Sequence, residues 1–373
     1  MPSSLKMPFA EPRDAVFGLL GARRHRIVQF AEIAAGPLLS VGAPAARRVF
    51  PVPEPLFGRL PQRNDFELPS VSYDRRLGEI HDARLVGDDG FVVSGGSMFL
   101  IDPAWVEENI LSNPAFRRPA VLPARRLPGA AFSCLLYWGD SYYHWICDVL
   151  CRLHDVLHRL PPEVRFIVPS VMEPWKWRSL ELIGVPPDRC VQRADGRALR
   201  IERLFHAGPV AMTGDHEPDA LRWIRDRIWN GVLGGAPAAN RRRRLYLTRR
   251  GGRARAVTNE AELQPALSAR GFEMVRADRL SFDEQVRLFA DAAVVVAPHG
   301  AALTNLLWSP PGVRILELFE PGTLRRCYWS LAHHLGHSYH CGIATPAANP
   351  GGEANMTVPL APFVSALDSV IAG

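Results

Sequence analysis

The sequence has no run of about 18 apolar residues, so no helix that crosses a bilayer is expected. Its first stretch, MPSSLKMPFAEPRDAVFGLLGARRHR, has its apolar run broken by charges and shows no clear cleavage site, so a signal peptide is not expected. A cytoplasmic location follows as the expectation, with this Arg-rich arm leaving room for peripheral contact with the inner face of a membrane. Cysteine is scarce, 6 in 373 residues, and with no secretory signal the thiols are expected to be reduced. Cys147 and Cys151 lack zinc-knuckle spacing, and the cluster His333, His334, His337, His340, Cys341 has no second ligand group of suitable spacing. No metal is therefore expected. No Gly-x-Gly-x-x-Gly follows a predicted strand, which argues against a nicotinamide-dependent dehydrogenase. Acidic residues are outnumbered 38 to 44, for a net charge of +6, and that balance favours an anionic partner without choosing one. The case for nucleic acid rests on this excess and on Arg241–Arg244. Such a run beside a strand start reads as a solvated surface, so nucleic acid is not the expected partner.

What is present is an ordinary globular composition, 47% hydrophobic and 22% charged. The length favours two domains. Residues 1–70, rich in Pro, Arg and Ala, read as an extended arm. Residues 71–233 read as a first domain. Within it, Ala83–Val86 and Phe91–Val93 flank a GDDG turn and predict a hairpin. Asp140 or Ser141 can cap a strong helix running to about Leu160, whose apolar stripe is Tyr142, Ile146, Val149, Leu153, Val156 and Leu160. His144, Asp148, Cys151, Asp155 and His158 fall on the opposite side. GGAPAANRRRR, residues 234–244, reads as the linker. From 245 to 361, strands alternate with helices, which implies a parallel, doubly wound sheet. A final helix over 362–373 is expected to pack back on the first domain.

The stretch VVVAPHGAALTNLLWSPPGVRILELFE, Val294 to Glu320, reads as strand, tight turn, helix, Pro-Pro-Gly break and strand. Ligands of such units bind where strands end and helices begin. Backbone N–H groups at a helix start suit a phosphate, and Gly300 lets a ligand approach closely. His299 and Thr304 could add side-chain contacts.

Three stretches together resemble glycosyltransferase family 61, which includes capsular-polysaccharide enzymes. Tyr142–Leu153, YYHWICDVLCRL, is similar to that family's aromatic-His-Trp…Asp…Leu-Pro-Arg-Leu helix, with Cys151 where Pro is usual. Leu245–Arg250, LYLTRR, is similar to its Tyr-Ile-Ser-Arg strand. His299–Asn305, HGAALTN, followed by Pro311-Gly312 and Glu317, is similar to its His-Gly-Ala-Gly-Leu-Thr-Asn…Pro-Pro-Gly…Glu pattern, with Ala302 replacing Gly. The resemblance covers about 130–320. It implies a GT-B-like α/β architecture, two Rossmann-like domains facing across a cleft, and inverting, metal-independent transfer from a nucleotide sugar to a glycan or polysaccharide hydroxyl. The sequence agrees in lacking an Asp-x-Asp triplet, which metal-dependent sugar transferases use to hold a divalent ion. No cofactor is implied beyond the nucleotide-sugar donor as cosubstrate. Arg249, His299, Gly300, Ala301, Thr304 and Asn305 are the expected donor-binding residues, with Glu317 or Glu320 near the ribose or base. Asp148 is the first candidate for the base that takes the acceptor proton and His144 the second. A catalytically inactive nucleotide- or glycan-binding protein of the same fold is the alternative.

Overall fold

In the computed structural model, residues 26–44, 46, 49–62, 64–95, 98–102, 107–112, 124–193, 197–238, 241–252, 254–348 and 353–373 are described. Each of two units is built on its own sheet. The first unit takes residues up to 45 and 73–213; the second takes 46–72 and 214–373. Residues 234–244 thus lie inside the second unit.

The first unit holds β1 (Arg26–Val28), β2 (Leu39–Gly42), β3 (Arg75–Val86), β4 (Phe91–Ser94), β5 (Met98–Leu100), β6 (Ala124–Ser133), β7 (Arg165–Val168), β8 (Cys190–Gln192) and β9 (Ala198–Ala207). They form one mixed sheet in the order β1-β5-β4-β3-β9-β6-β7-β8, with β2 against β3. β9, β6, β7 and β8 run parallel, whereas β3, β4 and β5 pair antiparallel. The GDDG segment turns β3 into β4, pairing Val86 with Phe91, and Gly87 and Gly90 take the left-handed backbone that the turn needs. The sheet buries Ile80, Ala83, Leu85, Leu127, Ala131, Leu199, Ile201 and Leu204 on one core.

The second unit holds β10 (Arg243–Leu247), β11 (Phe272–Val275), β12 (Ala292–Pro298), β13 (Arg314–Phe319) and β14 (Ser338–Ile343), all parallel in the order β11-β10-β12-β13-β14. Val294, Val295 and Val296 are fully buried, as a strand covered on both faces requires. The chain winds from β10 outward to β11, then returns to β12 on the other side of β10. That reversal makes the carboxyl ends of β10 and β12 the switch point of the sheet. Two of the four arginines lie in β10 and engage local partners: Arg243 pairs with Glu273 at 3.0 Å and Arg244 donates to the Arg270 carbonyl at 2.6 Å.

Two expectations change here. Residues 1–25 of the expected arm lie outside the described residues, but the described residues between 26 and 70 contribute to the cores of both units. Val28, Phe30 and Ile33 enter the core of the first unit, and Phe57 and Phe66 enter cores of the second. Their apolar side chains, spaced among prolines without helical or strand periodicity, give the segment its burial. The C-terminal helix, Leu360–Ala372, packs within its own unit. Phe363, Ala366, Leu367 and Val370 form a stripe at helical spacing against Val294, Val296, Leu316 and Leu318. Arg270 clasps Asp368 through two bonds of 2.7 and 2.9 Å.

The segment 46–72 is tied into the second unit by a buried ion pair. Arg326 Nη2 meets Asp215 Oδ2 at 2.6 Å and also donates to the Pro69 carbonyl at 3.1 Å. Its Nη1 donates to the Leu68 carbonyl, and Asp215 accepts from the Val71 N–H at 2.7 Å. Removing one partner leaves the other charge buried and uncompensated, a change that costs about 3 kcal/mol or more. Asp215→Ala is expected to lower the melting temperature and to expose 46–72 to proteolysis. Limited digestion of the folded variant checks it, and a cleavage pattern equal to wild type would show that the pair does not hold the segment.

Candidate active site

In the first unit, the helix expected to run straight from 142 is broken. It consists of α-helix at Tyr142–His144, π-helix at Trp145–Val149, 3-10 helix at Leu150–Arg152 and α-helix again at Leu153–Val156. Ser141 caps it by accepting from the His144 N–H. Nor is its polar side turned wholly to water, although His158 is exposed. Asp148, Cys151, Arg152 and Asp155 are buried along with the apolar stripe. Each buried charge on the segment has partners. Arg152 donates to the Ala207 carbonyl at 3.0 and 2.8 Å, Asp155 pairs with Arg75, and burial pulls the Arg152 guanidinium down to about 10. The wide π turn contains Asp148, and such turns frequently mark functional positions.

Asp148 Oδ2 accepts from His144 Nδ1 at 2.6 Å and from the Thr213 hydroxyl at 3.1 Å. The Asp148 side chain is 5% exposed and that of His144 21%. A carboxylate on Nδ1 fixes the imidazole tautomer and places Nε2 on the edge of the ring away from Asp148. The pair has the orienting geometry of a base and its supporting acid. Thr213 follows no recognisable motif, and only the fold brings it 65 residues back to Asp148.

In the second unit, Arg249 follows the carboxyl end of β10, and His299 and Gly300 follow that of β12. They meet at the switch point: Arg249 Nη1 donates to the His299 carbonyl at 3.3 Å, and Nε to the Ala254 carbonyl at 3.2 Å. A Cβ at position 300 would collide with the Arg249 guanidinium, so glycine there is what admits the arginine. No ion pair to Arg249 stands among the described residues. Burial, and next the charge of Arg255, lower its guanidinium from the ordinary range. A desolvated cation beside another cation is relieved by an anionic ligand.

His299 is held from behind. Its Nδ1 donates to Glu317 Oε1 at 2.5 Å, and Glu317 Oε2 accepts from the Tyr339 hydroxyl at 2.6 Å. The imidazole stacks on Phe319 at 5.2 Å. Glu317 is fully buried, and its charge is felt by its neighbours: burial first and Glu317 second push the Cys341 thiol up to about 12 and the Tyr339 phenol well above its usual range.

The remaining expected donor residues divide. Ala301 is partly exposed beside Gly300. Thr304 and Asn305 are fully buried. The Asn305 amide donates to Gln285 at 2.7 Å and accepts from the Trp308 indole at 2.9 Å, which makes it a brace of the turn. Glu320 accepts from the Gly322 N–H at 2.9 Å. The helix over Ala301–Trp308 is 3-10 and not α, because the Pro-Pro-Gly break and the buried Asn305–Trp308 bond hold it short and tight. Among the described residues no group of three or more His, Cys, Asp and Glu is placed to hold a metal ion. His333 donates to the Trp329 carbonyl at 2.8 Å, and His337 to the Leu306 carbonyl at 3.1 Å. No helix among the described residues is long and apolar enough to cross a membrane.

Residues 142–316 match the family model described as Glycosyltransferase 61. The chain carries a glycosyltransferase family 61 domain. It is also similar to the protein O-linked-mannose beta-1,4-N-acetylglucosaminyltransferase 2 of Xenopus laevis, at 42% identity over 72 residues, which is 18% of this chain and 12% of that protein. The protein of the same name from Danio rerio is 38% identical over 72 residues, with the same shares covered. The matched stretch thus spans about an eighth of the length of these curated relatives. The family 61 match runs from the broken helix of the first unit to β13 of the second, and so takes in His144, Asp148, Arg249, His299 and Gly300.

His337 gives the domain a pH dependence. Burial holds its imidazole down at about 4, against about 6.5 for an unfolded histidine. Above pH 6.5 both states are neutral there and the full stability is present. As pH falls toward 4 the unfolded chain takes up the proton and the folded chain does not, so stability is lost, by up to about 3 kcal/mol. Denaturant titrations between pH 7 and 4 are expected to show this slope, and His337→Gln to flatten it. A variant with an unchanged slope would assign the loss to other groups.

Proposed function

We propose that the protein is an inverting, metal-independent glycosyltransferase that moves a sugar from a nucleotide-sugar donor to a glycan or polysaccharide hydroxyl, as in capsule-type synthesis. The observation that carries this reading is the meeting of Arg249 with the His299–Gly300 turn at the switch point of a parallel sheet, within a family 61 match. A diphosphate placed there finds a guanidinium, backbone N–H groups at the start of the 301–308 turn and a histidine oriented by Glu317. Ala301 and Glu320 complete the donor set, with Glu320 toward the ribose or base. Thr304, Asn305 and Glu317 support the set from beneath.

The first unit supplies the base. The acceptor O–H attacks the anomeric carbon, and the bond from that carbon to the diphosphate oxygen breaks on the opposite face. The diphosphate leaves with the bonding pair, its charge met by Arg249. The proton passes to His144 Nε2, with Asp148 holding the ring and stabilising the imidazolium as it forms. This order, His144 as base and Asp148 behind it, reverses the one read from the sequence. Asp148 is the more buried of the pair, and its Oδ2 is already engaged by His144 and Thr213. The similarity to a transferase named for N-acetylglucosaminyl transfer to O-linked mannose makes N-acetylglucosamine the first donor sugar to test.

Release of nucleoside diphosphate from a panel of nucleotide sugars tests the reading, and a protein that binds donors without release would instead be an inactive binding module. Asp148→Asn and His144→Ala are each expected to cut turnover about a hundredfold or more with donor affinity kept. The double variant should lose little beyond either single one, because the two act as one unit. Additive losses would separate their roles. Arg249→Ala is expected to weaken donor binding about tenfold or more through the lost charge-assisted contact, read by calorimetry with the nucleoside diphosphate. Unchanged affinity in a folded variant would remove the donor from this site.

A further inference from the structure

Between β6 and the broken helix the chain makes a tight turn. Cys134, Leu135 and Leu136 lead into it fully buried, and Gly139 leaves it buried. The Gly139 N–H donates to the Leu136 carbonyl at 2.9 Å, and the Ser141 N–H to the Trp138 carbonyl at 3.1 Å. At the apex stands Trp138, 47% exposed, with a backbone φ of +61°. Bulky residues rarely take this left-handed conformation, because Cβ meets the carbonyl oxygen. Glycine takes it freely. The penalty at Trp138 is not balanced by core packing, since about half of the residue is open to solvent. Strain of this kind persists where surrounding structure holds it and gathers at ligand sites.

The surroundings hold the ring in place. Tyr137 meets it edge-on with centroids 4.8 Å apart. The His144 imidazole lies beside it, 5.4 Å between centroids and tilted by 35°. The turn therefore displays an indole beside the histidine that orients on Asp148. We propose that Trp138 is the stacking platform of an acceptor subsite, which takes the apolar face of a pyranose ring. This rests on the reading that the His144–Asp148 pair takes the acceptor proton. The C–H bonds on one face of a pyranose carry slight positive charge and match the negative face of an indole. A sugar laid on that ring presents its edge hydroxyl to the adjacent imidazole. The ring adjoins the imidazole that takes the acceptor proton, so it is assigned to the acceptor sugar and not to the nucleobase.

Two substitutions separate the ring from the fold. Trp138→Gly removes the indole while suiting the left-handed backbone, and Trp138→Phe keeps an aromatic face. Saturation-transfer NMR with a panel of methyl glycosides, methyl α-mannoside included, reads binding without turnover. Steady-state assays read acceptor and donor KM separately. Trp138→Gly is expected to raise the glycoside Kd and the acceptor KM about tenfold, with donor KM unchanged, and Trp138→Phe to recover most of the loss. A Trp138→Gly protein with wild-type acceptor KM and glycoside binding overturns the proposal. So does a rise in donor KM alone, which would place the nucleobase on the ring. A wild-type protein that binds no glycoside overturns it as well. If wild type releases no nucleoside diphosphate from any donor yet loses glycoside binding in Trp138→Gly, the transferase reading fails and the subsite stands.

Discussion

A carboxylate taken out of water needs donors fixed around it, and the second unit is arranged about one such group. Glu317 lies at the centre of a parallel strand with no exposure, flanked by His299 and Tyr339. Each of its oxygens accepts one bond. One of those bonds sets the ring of His299, and His299 follows β12 at the point where the chain turns through Gly300. The turn in turn admits Arg249. A neutral residue in place of Glu317 would leave the histidine without its orienting partner, so the geometry at the sheet's switch point traces back to one buried charge.

The first unit repeats the device with a shorter side chain. Asp148 holds His144 from one turn away, and the π geometry between them widens the helix at that place. Both units thus pair an imidazole Nδ1 with a carboxylate, one near the carboxyl end of a sheet and one on a distorted helix. The two pairs differ in exposure: His299 is 6% exposed and His144 21%. That contrast leaves His144 the more open to solvent of the two.

The β-branched run at Val294–Val296, the GDDG hairpin and the helix cap at Ser141 were all readable, because each is decided by local chemistry. The His144–Asp148 proximity was readable too, since helical and π spacing both bring these positions near one another. The distortion of the 142–156 helix was not readable. It depends on partners far along the chain: Thr213, Ala207 and Arg75 draw in polar side chains that lie off the apolar stripe. Asn305 shows the same limit in reverse. In sequence it reads as a ligand contact, and in the fold its amide is engaged by Gln285 and Trp308. Burial of polar side chains is set by tertiary partners, and single-sequence patterning carries no record of them.

The path of the chain has its own consequence. Residues 46–72 belong with 214–373, so the polypeptide leaves the first unit, contributes to the second, returns, and only later completes it. On a ribosome, Phe57 and Phe66 emerge long before the β13 and β14 residues that cover them. The first unit can close around its own sheet while an apolar segment of the second waits uncovered. Synthesis therefore imposes an order in which the nascent chain carries an unfinished hydrophobic segment until β13 and β14 are made. No single cut in the chain would yield either unit whole.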